Sequence, residues 1–406
     1  MRPLFLALFL AYPFSVCADP DVVLQKIIDA YGIEACEQDD VSDEQMAKFG
    51  EALFSSEGLS GDKDISCATC HVESLAFADG LPLAIGVGGA GEGEDRLRNE
   101  RGAIVARNAF TLFGRGHRAF ATFFWDGKVD AKNEKIFSPF GDELSTGFDG
   151  PLAVAAVLPL TERDEFIGEL NELAPNDLQR AVKTALYQTR FEKLDEAIRK
   201  RFLTDDELLA SLNGINLRPE EVNLVLLANA LGAFVRSAFA CAPSSWEAYL
   251  AGDINALTRE QKEGAKVFFG SGRCAGCHTP PLFTDFRFYN LGIPQGSFGP
   301  HSRNRDLGRG GVTNQPKDRY LFRTPPLLAV ARTAPYGHNG RFRTLESIVS
   351  QHLNPVTPIL EGEIELTAED RYSFGKIVAL MSDKLSYIEI RDDKDLAYLV
   401  EFLRAL

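Results

Sequence analysis

Methionine and tryptophan are the scarcest residues of this 406-residue chain, with three and two copies, and histidine follows with six. Past Met1 the only thioethers are Met46 and Met381. Soft or imidazole donors for a metal are therefore few enough to name one by one. Positive charge is also short: 43 Lys and Arg stand against 58 Asp and Glu, a formal net charge of −15. That excludes a nucleic-acid binder, which needs basic surface to neutralise phosphates. It leaves solubility, or steering toward a basic protein partner. Long apolar runs are missing beyond the first residues, so no membrane span is expected. The glycine-rich stretch from Gly86 to Gly93 is no phosphate cradle, because no strand pattern precedes it and no Gly-Lys-Ser/Thr ends it. Strand signals are sparse throughout, and the expected class is mainly α.

What is present begins with a leader. Arg2, an apolar run from Leu4 to Tyr12 and Val16-Cys17-Ala18 read as a signal peptide over residues 1–18. Phe14-Ser15-Val16 is a poor lipobox for a lipid on Cys17. Cleavage after Ala18 and a mature protein in the periplasm are expected. Of seven cysteines, Cys17 leaves with the leader and four form Cys67-Ala-Thr-Cys70-His71 and Cys274-Ala-Gly-Cys277-His278. Cys-x-x-Cys-His is the attachment signature of c-type haem: two thiols add to the porphyrin vinyls and the histidine takes the iron. Two copies behind an export signal exclude chance and half of a cytosolic zinc site. Cys36 and Cys241 remain, either as a disulfide or as two buried thiols.

The two signatures close an internal repeat. Ser42-Asp-Glu-Gln45 reads as a capping box opening a helix through Gly50 to Phe54. Thr258-Arg-Glu-Gln261, Gly264 and Phe268 repeat it. The glycines allow a close helix approach. This predicts two cytochrome c-like helical haem domains with long irregular loops, residues 19–242 and 243–406. Within them, a lead-in helix spans Val22 to Tyr31, and residues 107–147 read as loop and short helix. Pro219 starts a helix running through Ala240. Thr344 to His352 is helical, and Thr367 opens another helix to Met381. The last helix, Leu396 to Leu406, is a candidate to pack back on the first domain.

A filled sixth iron position makes an electron carrier, and an open one admits peroxide. The candidate ligands are His117, His301, His338, His352, Met46 and Met381. Thr324-Pro-Pro-Leu-Leu328, Thr333-Ala-Pro-Tyr-Gly-His-Asn-Gly340 and Thr344-Leu-Glu346 resemble the C-terminal signature of bacterial di-haem cytochrome c peroxidases and MauG-type enzymes. Arg107-Asn-Ala-Phe-Thr111 and Phe124-Trp-Asp-Gly127 resemble that family too. In it, the second haem takes Met or Tyr fourteen residues past the histidine of the Ala-Pro-Tyr segment. Here the count from His338 arrives at His352, on a predicted helix one turn past Ile348. His278 and His352 are thus the expected axial pair, with Met381 the competing ligand.

The resemblance implies further roles. The His71 haem is the peroxide-reactive one, with His117 a resting ligand or merely hydrogen-bonded. Trp125 is the relay between haems. Pro139 matches a family proline, and Glu143 is the nearest acid for moving the peroxide proton, about two residues short of the family spacing; Lys135 replaces a distal glutamine. Asn108, Thr333 and Pro335 match calcium ligands, and His301 and His338 read as structural. Imidazole donates more strongly than a thioether, which suits a haem sharing oxidising equivalents from hydrogen peroxide in a high-valent Fe(IV) state. Among relatives, the chain most resembles the methanobactin-associated di-haem enzyme MbnH, which oxidises a tryptophan of a partner protein. Gly272 stands where MauG-type enzymes carry a surface tryptophan, so the route to a protein substrate differs. The rivals are a scavenging peroxidase, fed by a small cytochrome or cupredoxin, and a non-enzymatic carrier.

Overall fold

The computed structural model describes residues 19–38, 43–98, 101–132, 135–141, 146–168, 174–296, 299–301, 306–362, 364–366, 368–390 and 392–406. The leader, Ser42, Glu143 and Thr367 lie outside the described residues. The chain is mainly helical, and the repeat read from the sequence is its organising feature. Helix Glu44–Ser55 crosses helix Leu224–Phe239, and helix Arg259–Phe269 crosses helix Asp393–Leu403. The two crossings are alike atom for atom. A Cβ on Gly50 would overlap Ala230 O and lie 2.8 Å from Phe234 Cβ; one on Gly264 would overlap Tyr398 O and lie 2.8 Å from Phe402 Cβ. One turn on, Phe54 meets Phe234 and Phe268 meets Phe402, each pair with ring centroids 5.2 Å apart. Glycine is needed at both points because backbone meets backbone there.

Local chemistry starts these helices. The side chain of Asp43 accepts from Met46 N at 3.0 Å, so Asp43 rather than Ser42 is the cap of the first. Thr258 and Gln261 form the expected capping box of its counterpart. Pro219–Glu221 is a separate 3-10 turn, and the apolar helix begins only at Leu224. Val222 is extended, and Asn223 restarts the helix by accepting from Leu226 N at 2.9 Å. Within 107–147, expected as loop and short helix, the chain makes a three-stranded antiparallel sheet. Thr122–Phe123, Val129–Lys132 and Lys135–Phe137 pair with Thr122 opposite Asp130 and Asp130 opposite Phe137. A second pair sets Phe288–Tyr289 beside Phe322–Arg323.

The first and last described helices both pack on the second half. The final helix lies against Arg259–Phe269 rather than on the first domain, because Gly264 admits it there. Helix Pro20–Tyr31, grouped with the first domain by sequence order, also packs on Arg259–Phe269. Lys262 pairs with Asp21 at 2.7 Å, and Tyr31 donates to Phe269 O at 3.3 Å. Cys36 and Cys241 form a disulfide that ties the chain after this lead-in helix to the end of the first domain. A half-buried arginine joins the halves: Arg107 meets Asp126 at 2.7 Å and Asp306 at 2.8 Å. Among the described residues no helix is long and apolar enough to cross a membrane.

Candidate active site

The two haem signatures fold alike. His71 N bonds to Cys67 O at 3.0 Å and His278 N to Cys274 O at 2.8 Å, which turns each histidine back over its own cysteines. Each imidazole is then held by Nδ1: His71 against Phe77 O and His278 against Phe283 O, both at 2.9 Å. Phe77 and Phe283 take left-handed backbone to present those carbonyls. A donor bond at Nδ1 leaves Nε2 as the lone-pair nitrogen, the arrangement a metal-binding imidazole requires. Burial pushes both imidazoles down to about 4, so they stay neutral and able to ligate. The four signature cysteines are unpaired. Burial raises the Cys67 and Cys274 thiols to about 12, which disfavours thiolate chemistry and suits covalent attachment in an apolar crevice.

His352 completes the second site. It lies on helix Leu345–Leu353, capped by Thr344, and its Nδ1 bonds to Ile348 O at 2.7 Å. Its ring centroid stands 6.4 Å from that of His278. A ligating nitrogen sits about 2 Å from its metal and the ring centre about 1 Å beyond, so rings on opposite sides of one ion stand roughly 6 Å apart. Both histidines line a largely apolar cavity of ≈ 240 Å³ that also exposes Cys274, Cys277, Leu291 and Val349. Met381 is not in that wall; its sulfur packs toward Gly292. The residues present therefore fit a haem held by Cys274, Cys277, His278 and His352.

The same cavity reaches toward the first site. Its wall includes Trp125, Phe110 and Arg115, and Phe110 lies 6.0 Å from the His71 ring. Trp125 is 9% exposed, and its Nε1–H donates to Asn108 O at 3.0 Å. Arg115 is buried over the Phe110 and Phe120 rings, with both Nη atoms unpartnered. Burial and the nearby Arg323 push its ionisation well below the usual guanidinium range. The unpartnered Arg115 guanidinium, with Arg323 near it, suits an anion, and haem propionates would supply that chemistry. His338 is 3% exposed with both ring nitrogens unpartnered, stacked on Phe322 at 3.6 Å. It borders the same cavity.

The other sequence candidates fall as follows. Asn108, Thr333 and Pro335 all line the cavity. The Asn108 amide nitrogen donates to Leu81 O at 2.7 Å, which leaves its oxygen available to a cation. Pro139 sits in a turn after the third strand, where Gly141 N bonds to Ser138 O at 3.2 Å. Lys135 is exposed on that strand. His117 Nδ1 accepts from Ala119 N at 3.1 Å, the hydrogen-bonded role. His301 borders a smaller cavity beside Asp306 and Arg341.

One acid near the first haem was not singled out by sequence. Glu165 is half-buried in the Arg163–Ile167 turn. Both neighbouring carbonyls are clamped: Asp164 O by Val87 N at 3.1 Å and Phe166 O by Gly61 N at 2.7 Å. Its charge reaches the Cys67 and Cys70 thiols, and burial pushes its carboxyl up to about 7 against the pull of Lys128. Nothing in Glu162-Arg-Asp-Glu165 distinguishes it, because the glycine loops that seat the turn lie far away in sequence.

Comparison with known proteins agrees with this geometry. The di-haem cytochrome c peroxidase family profile matches residues 44–255. Cytochrome-c peroxidase IdrP2 of Denitromonas iodatirespirans is 27% identical over 327 residues, covering 75% of this chain and 72% of its own. Methylamine utilization protein MauG of Methylorubrum extorquens is 26% identical over 315 residues, covering 76% and 69%. A solved MauG-like protein associated with microbial copper homeostasis shares the fold, with a TM-score of 0.57, 22% identity and 92% of each chain covered. The chain belongs to the di-haem cytochrome c peroxidase family, an oxidoreductase with two c-type haems that acts with hydrogen peroxide.

Proposed function

We propose that this protein uses hydrogen peroxide to withdraw electrons from an aromatic side chain, a tryptophan for choice, of a periplasmic partner protein, as the MbnH-like reading implies. The observation that carries this is the His278–His352 pair at 6.4 Å. When bound, the haems supply the redox chemistry, and two imidazoles on the second favour its oxidised states. Around them the chain's own residues position and move charge. His71 would hold the first haem. An open sixth position on that haem would make it the peroxide-reactive one. Glu165, whose carboxyl burial raises to about 7, is the acid we assign to take a proton from peroxide and return it. That role was expected of Glu143. Trp125 joins the two sites, its indole N–H fixed on Asn108 O. Calcium at Asn108 Oδ1 with the Thr333 and Pro335 carbonyls would brace the loops around that tryptophan. The scavenging alternative predicts a need for prior reduction by one electron. The test is whether the fully oxidised protein reacts with one equivalent of peroxide and no electron donor.

A further inference from the structure

Tyr289, half-buried on the short strand beside Phe322, lines the haem cavity. Its hydroxyl donates to Asp285 Oδ2 at 2.8 Å. Cys277, the residue that would carry the thioether link, lines the same cavity. Asp285 is itself part-exposed and accepts from Arg287 N at 2.9 Å. Lys384 stands 5.7 Å from the ring centroid.

We infer that Tyr289 and Asp285 form the exit through which oxidising equivalents leave the second haem for a protein partner. The inference rests on the protein-oxidising function proposed above. The step balances as follows. The Tyr289 O–H bond breaks, the proton passes to Asp285 Oδ2, and the electron passes to the second haem, oxidised beforehand by hydrogen peroxide. The phenoxyl then takes one electron from the partner's aromatic side chain, and Asp285 returns the proton. Two such cycles discharge both equivalents of one peroxide.

Three features select this tyrosine. The phenol shares a cavity wall with the haem anchor Cys277 and with His278. Its partner is a carboxylate that can accept the proton within one hydrogen bond. Tyr336, also in the cavity wall, donates instead to the carbonyl of Val330 at 3.0 Å, which cannot hold a proton. Tyr249 bonds to a carboxylate, Asp21, but lies outside the wall. The Lys384 ammonium disfavours positive charge left on the Tyr289 ring, so electron loss must be coupled to proton loss. Desolvation and Asp285 hold the phenol protonated until then.

The test is spin trapping on the haem-loaded enzyme. Peroxide is added with a nitroso trap, haem absorption is recorded in the same sample, and adducts are mapped by mass spectrometry. A trap adduct on Tyr289 is expected. Tyr289→Phe should abolish it, and Asp285→Asn should cut its yield by about tenfold or more. Haem bands that respond to peroxide while adducts appear only elsewhere, for instance on Tyr387 at 58% exposure, would overturn the exit and spare the proposed function. Haem bands that ignore peroxide would overturn both.

Discussion

His352 offers its Nε2 across the cavity from His278 because Ile348 O, one turn earlier on the same helix, occupies Nδ1. Removing it leaves the second iron with a water or nothing. His352→Ala should convert a low-spin ferric signal to a high-spin one in absorption and EPR spectra; an unchanged low-spin signal would remove His352 from the ligand set. Glu165 makes the second prediction at this scale. As the base that accepts the peroxide proton, it must be ionised, so the rate of reaction with peroxide should rise through pH about 7. Glu165→Gln should slow that step by roughly 10²–10⁴-fold and flatten the rising limb. A variant that keeps both rate and limb would return the role to another acid.

His352 was legible in sequence because both the family spacing and the helix periodicity led to it. Glu165 was not, since its place depends on Gly61 and Gly86 approaching the Arg163–Ile167 turn from the first haem loop. A Cβ on Gly86 would overlap Asp164 O. Pattern reading sees neighbours in the chain, and this contact joins residues about eighty apart.

At the scale of elements, the repeated glycine crossings set the haem crevices. Each brings an early helix onto a closing helix with backbone in contact, and the haem signature follows a few residues on. Gly264→Ala should force the Asp393–Leu403 helix outward and cost at least about 1–3 kcal/mol. Thermal unfolding followed by circular dichroism would show it; a melting temperature equal to wild type would mean that the crossing can relax. This motif was readable as a Gly-x-x-x-Phe repeat, and its partners were not. Ala230 and Tyr398 carry no signal of the approach, because the contact is made by their carbonyl oxygens. The same limit explains the missed sheet. Its strands have two to four residues, too short for an alternating pattern, and are fixed by pairs such as Thr122 Oγ1 to Asp130 Oδ1 at 2.9 Å. The Pro219 helix start was overridden by Asn223, whose side chain caps better than an extended Val222 allows the turn to continue.

Across the whole molecule, the cavity of the second haem site reaches toward the first, and one ion-paired seam joins the halves. Arg107 spans the halves between Asp126 and Asp306, one residue from Trp125 on one side and one from Asn108 on its own. Lowering of the Asp126 and Asp306 carboxyls by this arginine keeps the seam ionised well below neutral pH. The lead-in helix and the Cys36–Cys241 disulfide lash the second half to the first. Sequence left that pairing open, because two cysteines 205 residues apart carry no register. Such bracing would hold Trp125, the proposed relay, in place between the two sites, as the proposed joint oxidation demands.

EPR and Mössbauer spectroscopy of the fully oxidised, haem-loaded protein, before and after one equivalent of hydrogen peroxide, tests that joint behaviour most directly. The account predicts one high-spin and one low-spin ferric signal at rest, both lost together with no electron donor present. Two low-spin signals that ignore peroxide, or a response that appears only after half-reduction, would contradict it.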